Sequence, residues 1–171
     1  MREIVVTEFI SLDGIVDEPG TWTMPWWNDE IAAFKLPETL EADVLLLGRT
    51  TYEGFAAAWP GQTDEAGFAD KMNSMPKAVV SSTLRDPEWT NTTVIGLDQV
   101  ASLEGRILVA GSMTLVRALF ERELVDELRL LVYPVVLGTG TRLFGEQGRI
   151  DLKLTRAESY ATGVVNLTYR R

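Results

Sequence analysis

The sequence predicts an α/β fold: a mixed, mainly parallel sheet flanked by helices and closed by antiparallel strands. Three observations predict it. Strand-like and helix-like segments alternate from residue 3 to about residue 122. The last three strand-like runs, at about 127–133, 150–158 and 163–170, have no helix between them, so they should pair antiparallel at one edge. Two apolar strands, Val44-Leu45-Leu46-Leu47 and Ile107-Leu108-Val109, run into a glycine and then a helix start that carries hydroxyls.

The elements follow in order. Residues 3–10 read as a strand, and residues 11–27, with Gly14, Pro19, Gly20 and Pro25, as a loop. Residues 28–40 read as a helix with Asn28 as N-cap. A buried strand at 43–47 leads into a helix at about 50–58, stopped by Pro60-Gly61. A further helix fits about 64–74. Short strands fit 77–81 and 92–95, and a short helix lies near 97–103. The strand 106–110 feeds a helix at 112–122, amphipathic through Leu115, Val116, Leu119 and Phe120. Gly138-Thr139-Gly140-Thr141 lies between closing strands and reads as a hairpin or as a phosphate turn. No repeat, linker or low-complexity tract divides the 171 residues, so one domain over 1–171 is expected.

Composition excludes several chemistries. The chain is 46% hydrophobic and 24% charged, ordinary for a globular domain. Its net charge of −9 argues against nucleic acid or an anionic membrane as partner. Without cysteine there is no disulfide and no thiol nucleophile. Without histidine there is no Ser-His-Asp triad and no base tuned near neutral pH by residue type. No metal site is expected, since no Asp/Glu cluster has ligand spacing. The N-terminus lacks the apolar run of a signal peptide, and no stretch approaches ~20 apolar residues, so a cytoplasmic location is expected.

The candidate site residues lie where strands end. At Gly48-Arg49-Thr50-Thr51, glycine lets a ligand approach, the threonines offer hydroxyls and Arg49 offers a fork of donors for a phosphate. Gly111-Ser112-Met113-Thr114 reads the same way. Each equally reads as a plain strand-to-helix connection with a capping hydroxyl. Two such turns in one small chain suggest a ligand with more than one phosphate, a dinucleotide. Ser81 and Ser82 offer hydroxyls at a third strand end, or form a polar turn. Asp13 follows the first strand, and Trp22, Trp26 and Trp27 follow it in the loop. A carboxylate beside aromatic rings suits a flat heterocycle. The same tryptophans also read as core filler or a contact between copies. Asp29 and Glu30 begin a helix, where acidic residues face a cleft or simply complement the helix dipole.

Taken in order, Ser11-Leu12-Asp13-Gly14, Gly48-Arg49-Thr50-Thr51-Tyr52-Glu53, Ser81-Ser82-Thr83-Leu84, Val109-Ala110-Gly111-Ser112 with Leu124-Val125-Asp126-Glu127-Leu128, and Pro134-Val135-Val136-Leu137-Gly138 resemble the dihydrofolate-reductase-like family. The branch most similar is the C-terminal reductase domain of the bifunctional riboflavin-biosynthesis deaminase–reductase. The resemblance implies a mixed sheet of roughly eight strands, NADPH as hydride donor and a homodimer. It implies that Arg49, Thr50, Ser81 and Ser82 hold the adenosine 2′-phosphate end. Gly111, Ser112 and Met113 would hold the pyrophosphate, and loop 11–27 would cover nicotinamide and substrate. Two departures stand out: Ala110 occupies a position where relatives often have glycine, and the zinc-binding deaminase half is absent from these 171 residues.

The resulting expectation is an NADPH-dependent reductase of a small pyrimidine- or pterin-like heterocycle, similar to 5-amino-6-(5-phosphoribosylamino)uracil reductase or dihydrofolate reductase. Asp13, with a pKa raised by burial, is the expected proton donor; a helix carboxylate or an ordered water is the alternative. The substrate would meet Trp22, Trp26, Trp27, Asp29 and Glu30. A second expectation, from another class, is a nucleotide-binding or ligand-sensing protein with the same cleft and no turnover.

Overall fold

The computed structural model describes residues 1–171. Eight strands form one sheet: β1 (Arg2–Ile10), β2 (Val44–Gly48), β3 (Lys77–Val80), β4 (Thr92–Ile95), β5 (Gly105–Val109), β6 (Glu127–Val132), β7 (Lys153–Ser159) and β8 (Val165–Arg170). Their spatial order is β4-β3-β2-β5-β1-β6-β8-β7. Strands β1 to β6 pair parallel, and β8 pairs antiparallel with both β6 and β7. The expected mixed sheet with antiparallel closing strands is thus found.

Strand alternation separates two cores. Ile4, Val6, Ile107 and Val109 face α4 (Met113–Glu121), which buries Leu115, Val116 and Leu119 on them. Val5, Leu45, Leu47 and Leu108 face α2 (Arg49–Ala58) and α3 (Phe68–Ser74), which contribute Tyr52 and Met72. Each such side chain removed from water contributes about 1.5–3 kcal/mol. Helix α1 (Asp29–Leu40) lies over the β6–β8 end with Ile31 buried against Leu131, Tyr133 and Tyr160. Its start follows from Asn28, whose side chain accepts a hydrogen bond from the Ile31 N–H at 3.1 Å.

Several boundaries differ from expectation. Helix α3 begins at Phe68 rather than 64, because the Asp64 carboxylate accepts from the Phe68 and Ala69 N–H groups and so terminates the helix from four residues upstream. The segment near 97–103 is a 3-10 helix, Leu97–Ser102. Strand β7 begins at 153, because Ile150 and Leu152 pack against the α4-side core instead. The hairpin expected at Gly138–Thr141 is absent: β6 and β7 are not neighbours, and this segment runs back against residues 13–17.

Candidate functional site

Strands β2 and β5 are neighbours, so their glycine turns emerge side by side. The Gly48 N–H donates to the Gly111 carbonyl at 3.2 Å. A Cβ on Gly48 would sit 2.1 Å from Ser112 Oγ, so only glycine permits this approach. Gly111 has φ +122°, and a Cβ there would sit 2.9 Å from Thr51 Oγ1. The turns therefore clasp each other. Between them runs a groove of about 240 Å³ lined by Gly48, Arg49, Thr50, Ser112 and Thr114, with Val80, Leu97 and Leu115 as apolar wall. No side chain caps α2 or α4, which leaves first-turn N–H groups of both helices without capping partners. The Arg49 side chain is 52% exposed and lies 3.7 Å from Glu53, a loose pair that leaves its donors available.

The structure thus brings together Gly48, Arg49, Thr50, Ser112 and Thr114. Thr51 supports the turn beneath Gly111, and Met113 packs partly into the α4-side core. Ser81 and Ser82 do not line the groove. The Ser81 hydroxyl accepts from the Thr83 and Leu84 N–H groups, so it closes its own turn, while Ser82 is exposed beside it.

The expectation for Asp13 needs correction. Its carboxylate accepts from the Ser11 hydroxyl at 2.6 Å and from the Leu137 and Gly138 N–H groups at 3.1 and 2.8 Å. These hydrogen bonds, the one from Ser11 foremost, hold its pKa down to about 2. Asp13 is an ionised latch, the opposite of a carboxyl raised to donate. Asp17 adds to the latch by accepting from the Thr141 N–H, and backbone bonds from Leu12, Val16 and Leu143 complete it.

The three tryptophans do not frame an open slot. Trp22 and Trp26 stand edge-on to Tyr133, with ring centroids 5.5 and 6.1 Å away. Trp27 is edge-on to Phe9 at 6.5 Å and 43% exposed, so it alone offers a free face. Asp29 is exposed in the first turn of α1. Glu30 accepts from Asn28 and from the Ala161 N–H, which ties α1 to the β7–β8 turn. Neither carboxylate joins Asp13. Glu30 instead borders a second cleft of about 600 Å³ between α1 and β6–β8–β7, with Glu38, Glu127, Arg129 and Arg156. Its charges satisfy one another: Glu127 pairs with Arg129 at 2.6 Å and Arg170 at 2.8 Å, Glu38 with Lys35 and Arg129, and Arg156 with Glu158.

Four buried polar side chains escaped the sequence reading. Glu8 sits on β1 between apolar neighbours; burial pushes its carboxyl up to about 8, against the pull of Lys35. Its Oε1 has no partner, and the same holds for the Tyr133 hydroxyl and Asn166 Oδ1. Lys77 is 2% exposed, donates to the carbonyls of Asn73, Met75 and Thr90, and lies 4.2 Å from the Trp89 ring centroid. A charge inside a predicted buried strand was the available signal for Glu8 and Lys77. Nothing in the sequence marks Tyr133 or Asn166.

Comparison with known proteins agrees with this architecture. The chain is 29% identical over 180 residues to the uncharacterized protein YyaP of Bacillus subtilis (strain 168), covering 98% of this chain and 94% of that one. Among solved structures, it superposes with a TM-score of 0.79 on a Shewanella sp. PV-4 protein assigned provisionally to riboflavin biosynthesis, at 20% identity over 99% of this chain and 98% of the other. A pyrimidine reductase-like protein of Corynebacterium diphtheriae gives 0.66 at 14% identity, over 98% and 91% of the two chains. RibD of Acinetobacter baumannii gives 0.70 at 14% identity; there the match covers 99% of this chain and 58% of the larger one. At these identities the superpositions speak for the fold. A family model for the RibD C-terminal domain matches residues 2–166. The chain therefore belongs to the RibD C-terminal domain family, a reductase-like family.

Proposed function

We propose that the protein is an NADPH-dependent reductase of a small pyrimidine- or pterin-like heterocycle. The observation that carries this reading is the clasp of Gly48 on Ser112, which sets two helix starts along one groove with Arg49 at its mouth. Backbone N–H donors and a guanidinium suit a dinucleotide with a phosphate monoester. Gly111, Ser112, Met113 and Thr114 would hold the pyrophosphate, and Arg49 and Thr50 the 2′-phosphate end, with Ser81 and Ser82 at the next strand end standing outside the groove. Bound there, NADPH would supply the hydride. The chain's own part is to orient the two rings and exclude water. The Asp13 latch would hold residues 11–17 against 135–143 beside the reacting rings. Because Asp13 is ionised, the accompanying proton would come from water. The Corynebacterium relative's description as pyrimidine reductase-like supports the substrate class. No helix of the chain is long and apolar enough to cross a membrane, and the same reading extends to a cytoplasmic homodimer, which sedimentation velocity tests.

Fluorescence titration with NADPH, followed by turnover assays on pterin and pyrimidine panels, tests the function. Binding with oxidation of NADPH on one panel member is expected. No binding at millimolar NADPH would sink the reading. Tight binding with no turnover would favour a ligand sensor, for which the self-filled aromatic side of the cleft already speaks.

A further inference from the structure

Two fully buried polar groups on the α1 face of the sheet have an end without a protein partner. They are the Tyr133 hydroxyl and the Asn166 amide, each 0% exposed. Tyr160 engages one end of that amide, at 3.1 Å, and the other end is free. Groups buried in this way ordinarily find a partner, because desolvating them unmet is unfavourable. They share one neighbourhood. Asn166 lies opposite Leu131 in the β6–β8 register, and Tyr133 lies two residues further along the same chain segment. Tyr133 and Tyr160 pack in one apolar cluster with Ile31, Leu131 and Val164.

The surroundings define what would fit. Ile31, Leu131 and Val164 pack around the two tyrosines, an apolar setting that favours a neutral partner over an ion. The neighbouring walls are aromatic and flat: Phe9, Trp22 and Trp26 all meet Tyr133 edge to face. Tyr133 follows β6, and only β1 separates β6 from β5 and its Gly111 turn. Strands β5 and β6 both run parallel to β1, so the Gly111 turn and Tyr133 emerge at the same edge of the sheet. Entry needs one movement. Every hydrogen bond made by residues 18–27 closes within residues 17–27, so the segment that carries Trp22 and Trp26 is held over the sheet by side-chain packing and by no hydrogen bond to the rest of the chain.

We propose that Tyr133 and Asn166 are the specificity-determining pair for the substrate ring. The Asn166 amide oxygen accepts from a ring N–H, and the Tyr133 hydroxyl donates to the adjacent ring carbonyl, once Trp22 and Trp26 swing aside. This rests on the reductase reading for the role of the neighbouring groove.

Tryptophan fluorescence of the full chain, titrated with uracil and with 1,3-dimethyluracil, tests the pair. Wild type should bind uracil at least about tenfold more tightly, because methylation removes the N–H groups. Tyr133→Phe, which deletes only the unmet hydroxyl, should keep the melting temperature or raise it and weaken uracil about tenfold. Asn166→Leu should erase most of the discrimination. NADPH affinity should stay unchanged in both. Equal affinity for the two probes in wild type overturns the proposal, as does an unchanged uracil affinity in folded Tyr133→Phe or no uracil binding at ten millimolar. NADPH is titrated separately: its failure to bind overturns the reductase reading while the uracil series still decides the pair.

Discussion

The half of the cleft we assign to the cofactor and the half we assign to the substrate are built from different materials. The cofactor half is backbone: two glycine turns locked together, with helix N–H groups for donors. The substrate half is side chain: Trp22, Trp26, Phe9 and Tyr133 meeting edge to face, over buried polar groups with ends unmet. Backbone geometry tolerates no added atom at its contact points, whereas an aromatic cluster can be trimmed or reopened. One half should therefore fail by steric exclusion and the other by loss of recognition.

The largest effect is expected where the two turns touch. Gly48→Val puts a branched side chain into Ser112 and should cost about 3 kcal/mol of stability along with NADPH binding; urea denaturation and cofactor titration measure both. Gly111→Val would do the same through Thr51 and its positive φ, so it is no clean probe of the pyrophosphate. If either variant folded and bound normally, the contrast between the halves would break.

On β1, the strand between β5 and β6, lies Glu8. Its folded pKa of about 8 exceeds the ordinary 4.5, so the folded state holds the proton more tightly. Its contribution is fully present below about pH 4.5 and is lost as pH rises through 8. Glu8→Gln should raise stability at pH 8 by on the order of 1–3 kcal/mol and flatten the decline between those limits, as melting curves across pH would show. A wild type whose stability does not fall over that window would place a partner on the free oxygen.

Arg49→Ala should weaken NADPH by about 1–3 kcal/mol and NADH far less. Equal loss for both cofactors would mean that Arg49 does not read a 2′-phosphate. Smaller still are the effects on the loop. Because Asp13 is held near 2, it should contribute no ionisation to the pH–rate profile between about pH 5 and 8, so Asp13→Asn should leave the shape of the profile there unchanged. Asp13→Asn should chiefly speed amide exchange in residues 135–143. Trp27→Ala should change stability by about 0.5 kcal/mol or less, given its exposure, while weakening heterocycle binding. A fall in sedimentation coefficient instead would assign Trp27 to a contact between copies.

Much of this was legible in the chain. All eight strands were located from their apolar or alternating runs, and Gly48, Gly96, Gly111 and Pro134 mark the ends of β2, β4, β5 and β6. Asn28 marked the start of α1, and Gly48 and Gly111 marked the two turns that meet, because a conformational or steric need for glycine leaves a local trace. Other features left none. Whether Asp13 donates or latches depends on Leu137 and Gly138, more than a hundred residues away in sequence. Whether the tryptophans frame a slot or fill it depends on where Tyr133 stands.

By itself the sequence determined the order of elements, the two faces of each strand and the positions where only glycine serves, because these follow from spacing along the chain and from the shape of single residues. Tertiary structure alone decided which turns meet, which carboxyl is held charged and which neutral, and which polar groups are left unmet. Those outcomes depend on desolvation and on partners brought together by strand order, and no local pattern encodes either.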